Sequence, residues 1–474
     1  MRDYSRHYIN GMWVESEGGT RHLVINPATE QPCTEIMLGS QADVDKAVAA
    51  ARTAFESYAR TSPAERIALL QRIVAEYERR IPDIAEAIST EMGCPIAVAR
   101  TSQAGSGLGH LKAAITALEG FSFEEQVGAN RVVREPIGVV ALITPWNWPL
   151  NQIAAKVAPA IAAGCTMILK PSEETPASAA VFAEVMDAAG VPPGVFNLVQ
   201  GSGPGVGEAL SKHKGVDMVS FTGSTRAGIL VARNAAETVK RVHQELGGKS
   251  PNIILEGADL DKAIPAGLNR VLINSGQSCV APARMLVHAS QYADAAKIAA
   301  AKMESTRTGD PAEDGRHIGP VVNKAQYDKI QGLIRTAIEE GATLAAGGPG
   351  RPEGQDKGYY IRPTLFTDVT PDMTIAREEI FGPVVTMIRY ADEDEAVRIA
   401  NDTDYGLSAV ISGDPARAKA IFPRLRAGMI YVNGGTSGYD MPFGGYKQSG
   451  NGREYGKFGL AEFMEVKAVL GDLD

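Results

Sequence analysis

Apolar positions along the chain change rhythm twice. Over residues 41–60, Val44, Val48, Ala51, Phe55 and Tyr58 recur every three to four residues, which predicts an amphipathic helix with Ser40 as its N-cap. A second helix is predicted after Ser62, with Pro63 at its first position and Ile67, Leu70, Ile73, Val74 and Tyr77 on one face. From residue 137 the pattern turns to short unbroken apolar runs between helices. IGVVALIT, CTMILK, VFNLVQ, VDMVSFTG and VHQEL read as strands, and 149–163 and 176–189 read as helices closed by Gly164 and Gly190. Unbroken apolar strands separated by helices predict a parallel sheet covered on both faces. A second α/β unit follows from 380 to 433: strand FGPVVTMIRY, helix DEDEAVRIAN, strand GLSAVIS, helix ARAKAIFPRLRAG and strand MIYVNG. The segment 118–136 is more polar and interrupts the first unit. LAEFMEVKAVL near the C-terminus alternates weakly, which suggests an edge strand that pairs with another subunit.

Composition narrows the picture. The chain has 474 residues, enough for several domains, and its net charge is −9 with the two signs interspersed. No basic tract is present to neutralise phosphates, so a nucleic acid or an anionic membrane is not an expected partner. No apolar run approaches the roughly 18 residues of a membrane span. MRDYSRHYINGMWVE has no apolar core of a secretory signal. The four cysteines, Cys33, Cys94, Cys165 and Cys279, form no C-x-x-C pair and lie near no histidines at metal-ligand spacing. A disulfide framework, a metal site and a zinc dehydrogenase are therefore not expected, and a reducing cytoplasm is.

Candidate chemistry lies where strands end. Ligands of parallel sheets bind at the carboxyl ends of the strands, and the polar tetrads KPSE, FTGS and ELGG sit there. Cys279, in NSGQSCVAPAR, is flanked by small residues, and Glu245 precedes it in VHQELGGKSP. A lone cysteine is more often a small buried hydrophobe than a catalyst. Paired with a glutamate in apolar surroundings, whose pKa can rise into the range of a general base, it suggests covalent acyl chemistry. Gly247 and Gly248 would let backbone approach such a site closely. GSGPGVG (201–207) is glycine-rich without a clean G-x-G-x-x-G, a weak signal alone.

TPWNWPL (144–150), LKPSEETP (169–176), FTGST (221–225), ELGGKSP (245–251), GQSC (276–279), EEIFGPV (378–384) and PFGGYKQSGNGRE (442–454) stand in the order found in the aldehyde dehydrogenase superfamily, which the chain resembles over nearly its whole length. The resemblance implies an α/β fold in three parts. These are a parallel-sheet, Rossmann-like NAD-binding domain (1–117 and 137–247), an α/β catalytic domain (248–447) and a small β oligomerisation element (118–136 and 448–474). It implies Cys279 as nucleophile, Asn147 as oxyanion donor with the Cys279 N–H, and Glu245 as the base that activates water against the thioester. Lys156 and Glu454 match a proton relay. For the cofactor it implies Trp146 and Leu246 along the cleft, Lys170 and Glu173 at the adenine ribose, and Gly203 and Gly207 on the adenosine side. Gly223 and Ser224 would face the pyrophosphate at a helix N-terminus, and Glu379 and Phe381 the nicotinamide ribose and ring. A carboxylate at Glu173 would repel a 2′-phosphate, which favours NAD over NADP, although relatives with this glutamate are sometimes dual.

The resemblance places Trp148, Gln152, Ala155, Ser278, Val280 and loop 435–441 around the substrate. Ala155 and Ser437 stand where many relatives are aromatic, so a wide entrance and a bulky or aromatic aldehyde are expected. No arginine stands out in these segments to clamp a distal carboxylate. The leading expectation is oxidation of an aldehyde to the acid with NAD by a homodimer or homotetramer. The alternatives are a coenzyme A-acylating enzyme, against which Glu245 speaks, and a non-catalytic binding protein on the same fold.

Overall fold

The computed structural model describes residues 1–471. Its first layer follows the predicted helices closely. Gln41–Tyr58 starts at Ser40, whose hydroxyl and the Asp43 carboxylate close a reciprocal capping box. Pro63–Met92 starts the same way with Ser62 and Glu65. The first packs directly on, and the second over the helices of, an eight-stranded sheet. From one edge to the other its strands are Gly450–Asn451, Arg241–Glu245, Met218–Thr222, Val139–Ile143, Thr166–Lys170, Phe196–Leu198, His7–Ile9 and Met12–Val14. The five from Arg241 to Leu198 are parallel. The strands of this central run from Met218 to Leu198 are buried along their whole length, as continuous apolar runs require. Pro149–Ala163 and Pro176–Ala188 pack on it, the first closed by Gly164 at φ 92°.

The second unit is a seven-stranded sheet in the order Thr343–Ala346, Thr364–Thr367, Val384–Tyr390, Arg284–His288, Pro251–Ile254, Ser408–Ser412 and Met429–Val432. All but the first strand run parallel. Between 251 and 377 the motifs name no elements. That stretch holds the helices Leu260–Leu272, Tyr292–Glu304 and Lys324–Glu339.

Three expectations change. The helix expected over ARAKAIFPRLRAG ends at Ile421 and passes into a single 3₁₀ turn, Phe422–Arg424. Pro423 has no N–H to continue the helix and disfavours helical backbone before it. The C-terminal run is not one strand: Gly456–Glu462 is helical, and only Met464–Val469 is extended. That strand pairs antiparallel with Asn130–Pro136 of the same chain, which in turn pairs with Glu124–Val127. Segment 448–474 is also divided, because Gly450–Asn451 joins the eight-stranded sheet beside Arg241–Glu245. No helix of the described residues is long and apolar enough to cross a membrane.

Candidate active site

Cys279 sits at the end of an unusual stretch of backbone. Leu260–Leu272 gives way to a turn in which Asn274 and Ser275 both have φ 55° and Gly276 has φ 78°. Left-handed backbone costs a non-glycine residue on the order of 1–3 kcal/mol unless its surroundings hold it. Here they do. Asn274 Nδ2 donates to Asn147 O at 2.8 Å, Ser275 Oγ to Gly319 O at 2.8 Å, and Val322 N–H to Gln277 Oε1 at 2.9 Å. Gly276 has no room for a side chain, since a Cβ would lie 2.0 Å from Gly382 O. Gly248 is equally constrained, with a Cβ falling 2.3 Å from the Cys279 carbonyl oxygen.

Asn147 lies between the strand Val139–Ile143 and the helix Pro149–Ala163. Its carbonyl accepts from Gln103 Nε2 at 3.1 Å as well as from Asn274. Its own Nδ2 donates to Gln277 O at 3.1 Å. The amide is thereby aimed along the loop that carries Cys279. Trp148 Nε1 donates to Ser278 Oγ at 2.7 Å, a second tie between the two segments.

Glu245 ends its strand inside the protein, 2% exposed, and neither carboxyl oxygen has a hydrogen-bond partner. Burial, reinforced by the Glu454 carboxylate, holds its pKa well above the ordinary range, against the pull of Lys156 and Arg453. The Cys279 thiol is pushed up by burial and then by Glu379 and Glu245. Lys156 and Glu454 form a buried ion pair behind Glu245.

A cavity of 160 Å³ opens in front of these groups. Trp146, Asn147, Gln152, Gly223, Ser224, Leu246, Gly247, Cys279, Glu379 and Phe381 line it, so most sequence-predicted residues meet there. Phe381, at φ 63°, stands edge-on to Trp146 with ring centroids 5.4 Å apart. Gly248 N–H donates to Glu379 Oε1 at 2.9 Å. Ser224 caps the helix Thr225–Ala236, leaving first-turn N–H groups at the cavity edge. Lys170 and Glu173 stand outside the cavity as a pair 3.2 Å apart. Burial raises the Glu173 carboxyl, but Lys170 and backbone N–H groups of Glu173 and Gly203 bring it below the usual value. Gly203–Gly207 is a π-helical turn, with Gly207 facing the Lys170 stem.

Gln326 and Lys329, on Lys324–Glu339, also line the cavity and carry no motif. Only the three-dimensional structure brings them in. His243, two residues from Glu245 on one strand and so on its face, stands outside the cavity lining. On the other side of Cys279, Ala155 packs with Leu407, Met429, Phe443 and Tyr455, and with the partly buried Cys279, Val280 and Tyr431. Loop 435–441 is exposed, and Ser437 reaches toward the Tyr431 hydroxyl at 3.5 Å. The loop is not without an aromatic: Tyr439 folds onto His110, centroids 4.7 Å apart. An arginine is also close. Arg270, outside the segments expected to surround the substrate, lies 4.7 Å over the Tyr431 ring and donates to Gly435 O at 2.5 Å. Among the described residues no group of three His, Cys, Asp or Glu side chains could hold a metal ion.

An oxidoreductase of the dinucleotide-binding α/β kind is the class that this fold and cavity define. The chain belongs to the aldehyde dehydrogenase family, whose model matches residues 13–469. It is 53% identical over 473 residues, 99% of each chain, to a 3-succinoylsemialdehyde-pyridine dehydrogenase from a Pseudomonas species. Among solved structures, an aldehyde dehydrogenase from Bartonella henselae is similar with a TM-score of 0.98, at 49% identity over 99% of both chains. Aldehyde dehydrogenase C from Pseudomonas syringae, a cysteine-to-alanine variant in complex with NAD+ and octanal, has a TM-score of 0.97. It is 50% identical, covering 98% of this chain and 96% of its own.

Proposed function

We propose that this NAD-dependent aldehyde dehydrogenase oxidises a bulky or aromatic aldehyde to its carboxylic acid through a thioester on Cys279. The observation that carries the acid-forming step is the buried Glu245 carboxyl, with no partner on either oxygen, within electrostatic reach of Cys279. Sulfur attacks the aldehyde carbon as its proton passes to solvent water in the cleft, and the new oxyanion meets Asn147 Nδ2 and the Cys279 N–H. NAD, bound along Trp146, Gly223, Ser224, Leu246, Glu379 and Phe381, supplies the hydride acceptor. The Lys170–Glu173 pair and the Gly203–Gly207 turn suit the adenosine end. The cavity fits such a group, because a Cβ at Gly247 would touch the Glu379 carboxyl at 2.7 Å and close its floor. Glu245 then takes a proton from water as the water oxygen bonds to the thioester carbon. The C–S bond breaks, the acid departs, and the proton passes toward Glu454 and Lys156.

The substrate class is supported by the small Ala155 in the apolar cluster beside Cys279. The ring-bearing aldehyde named for the 53% identical Pseudomonas relative points the same way, and the octanal in the P. syringae structure supports a long substrate. Four free cysteines suit a reducing cytoplasm. Met464–Val469, at the edge of its sheet, is the element through which we place the chain in a homodimer or homotetramer. NADH formation from a panel of aldehydes without coenzyme A tests the reading, with Cys279→Ala and Glu245→Gln beside the wild type. Turnover should vanish with the first change and shrink to a single burst with the second. Wild-type turnover only after coenzyme A is added would refute the acid-forming step.

A further inference from the structure

We propose that His243 is a positioning residue for Glu245, donating an Nε2–H hydrogen bond to Oε1 and leaving Oε2 to face the attacking water. The two side chains project from the same face of Arg241–Glu245, two residues apart. Nε2 and Oε1 are 3.6 Å apart, and both residues are 2% exposed. His243 Nε2 and both oxygens of Glu245 are without any other partner. Three orphaned buried polar atoms at one place are rare enough to need an explanation, and a small rotation of either side chain satisfies two of them. Two glycines shape the space. A Cβ at Gly452 would lie 2.3 Å from the imidazole Cδ2, and one at Gly444 would lie 2.6 Å from Glu245 Oε1. The backbone at Gly444 and Gly452 thus leaves room for these two side chains and little else.

The charged groups around the pair decide what His243 can be. Lys156 approaches from Pro149–Ala163, Arg453 and Glu454 from the segment beside Gly452, Glu462 from Gly456–Glu462, and the Cys279 thiol from its loop. Burial, Lys156 and Arg453 keep the imidazole neutral. A neutral ring offers one N–H and adds no charge, so it supports a carboxylate without competing with Lys156 for Glu454. It is also a group that neither gains nor loses a proton in the cycle: water's proton goes to Glu245, its oxygen to the thioester carbon, and the sulfur leaves. Without the N–H, an ionised Glu245 has no hydrogen-bond donor in a dry site, and its neutral form is favoured.

This inference rests on Glu245 as the base for thioester hydrolysis, and the test separates the two. His243→Leu, His243→Gln and Glu245→Gln are compared with wild type in stopped-flow NADH formation across pH, with the thermal midpoint checking the fold. In His243→Leu the acid limb of steady-state turnover should move up by about one pH unit, and a burst should precede a slower steady state at an unchanged burst rate. His243→Gln, whose amide N–H replaces the imidazole donor, should return the limb toward wild type. A wild-type limb and steady-state rate in His243→Leu, beside a stalled Glu245→Gln, would overturn the role of His243 alone. Wild-type turnover in Glu245→Gln would overturn the base assignment and this inference with it.

Discussion

Truncating Asn147 to alanine removes a donor that the structure has aimed but only half used. The side-chain amide carries two N–H donors. One goes to Gln277 O at 3.1 Å, and in the proposed mechanism the other meets the oxyanion that forms on attack by Cys279. Loss of one oxyanion-hole donor lowers the chemical rate by roughly 10²–10³, about 2.7–4 kcal/mol. The cost to folding should be smaller. Gln277 O keeps a bond from Asn274 Nδ2 at 3.2 Å, so it is not orphaned, and the Asn147 carbonyl keeps both of its donors. What is lost is one hydrogen bond, about 1 kcal/mol, which in a chain this long moves the thermal midpoint by no more than a few degrees.

The assay must read the chemical step, since turnover can be limited by hydrolysis or release. The rate of the NADH burst in a stopped-flow instrument does so. Tryptophan fluorescence quenching gives NAD affinity, which should hold because the backbone of the cavity wall is unchanged. A burst rate within tenfold of wild type would refute the donor role. A large fall in rate joined to a collapse of the thermal midpoint and of NAD binding would instead make Asn147 a clamp for the 274–277 turn.

Gly276→Ala would force a side chain into φ 78° and onto Gly382 O at 2.0 Å; an activity loss with destabilisation of about 2–4 kcal/mol in urea titration is expected, and a variant as stable as wild type would refute the close packing. Ala155→Phe fills the apolar cluster beside Cys279; kcat/KM for aromatic aldehydes should fall by roughly 10–100-fold while propanal changes little, and an equal fall for both would refute a size filter at this position. Glu91, buried, is lifted chiefly by burial from the ordinary carboxylate range to about 8. Its folded-state pKa is therefore raised, so its contribution to stability is fully present below the unfolded value near 4.5 and is lost as pH rises through 8. The Tm of Glu91→Gln minus that of wild type should grow from pH 5 to pH 9, and parallel Tm profiles would refute the raised pKa.

How much of this could be read beforehand depends on the physical signal each element leaves. Val139–Ile143 and Thr166–Lys170 were legible because a strand buried on both faces must be apolar throughout. Helices Gln41–Tyr58 and Pro63–Met92 were legible because Ser40 and Ser62 cap periodic stripes. The stretch 251–377 was not: strands of four residues, such as Thr343–Ala346 and Thr364–Thr367, are too short to establish a period. Nor does an apolar alternation such as that of 460–470 say which edge it will meet. Pairing with Asn130–Pro136 depends on a polar hairpin that shows no apolar period of its own.

The site divides along the same line. Cys279, Asn147 and Glu245 are carried by local motifs, and the first two line one cavity while the third is buried outside its lining. The groups that give these residues their properties are non-local. Asn274 and Ser275 are ordinary in sequence, yet their left-handed backbone leads into Cys279, and contacts with Gly319, Val322, Asn147 and Gln103, all distant in sequence, hold it. Lys156 and Glu454 are 298 residues apart and meet as one buried pair. Chemistry that needs a residue type leaves that residue in the sequence. Chemistry that needs a dry, strained or charged environment is distributed among residues whose identity alone carries no sign of it. His243 falls between the two: its position relative to Glu245 follows from strand geometry alone, but the orphaned atoms that give the position meaning appear only when the site closes around them.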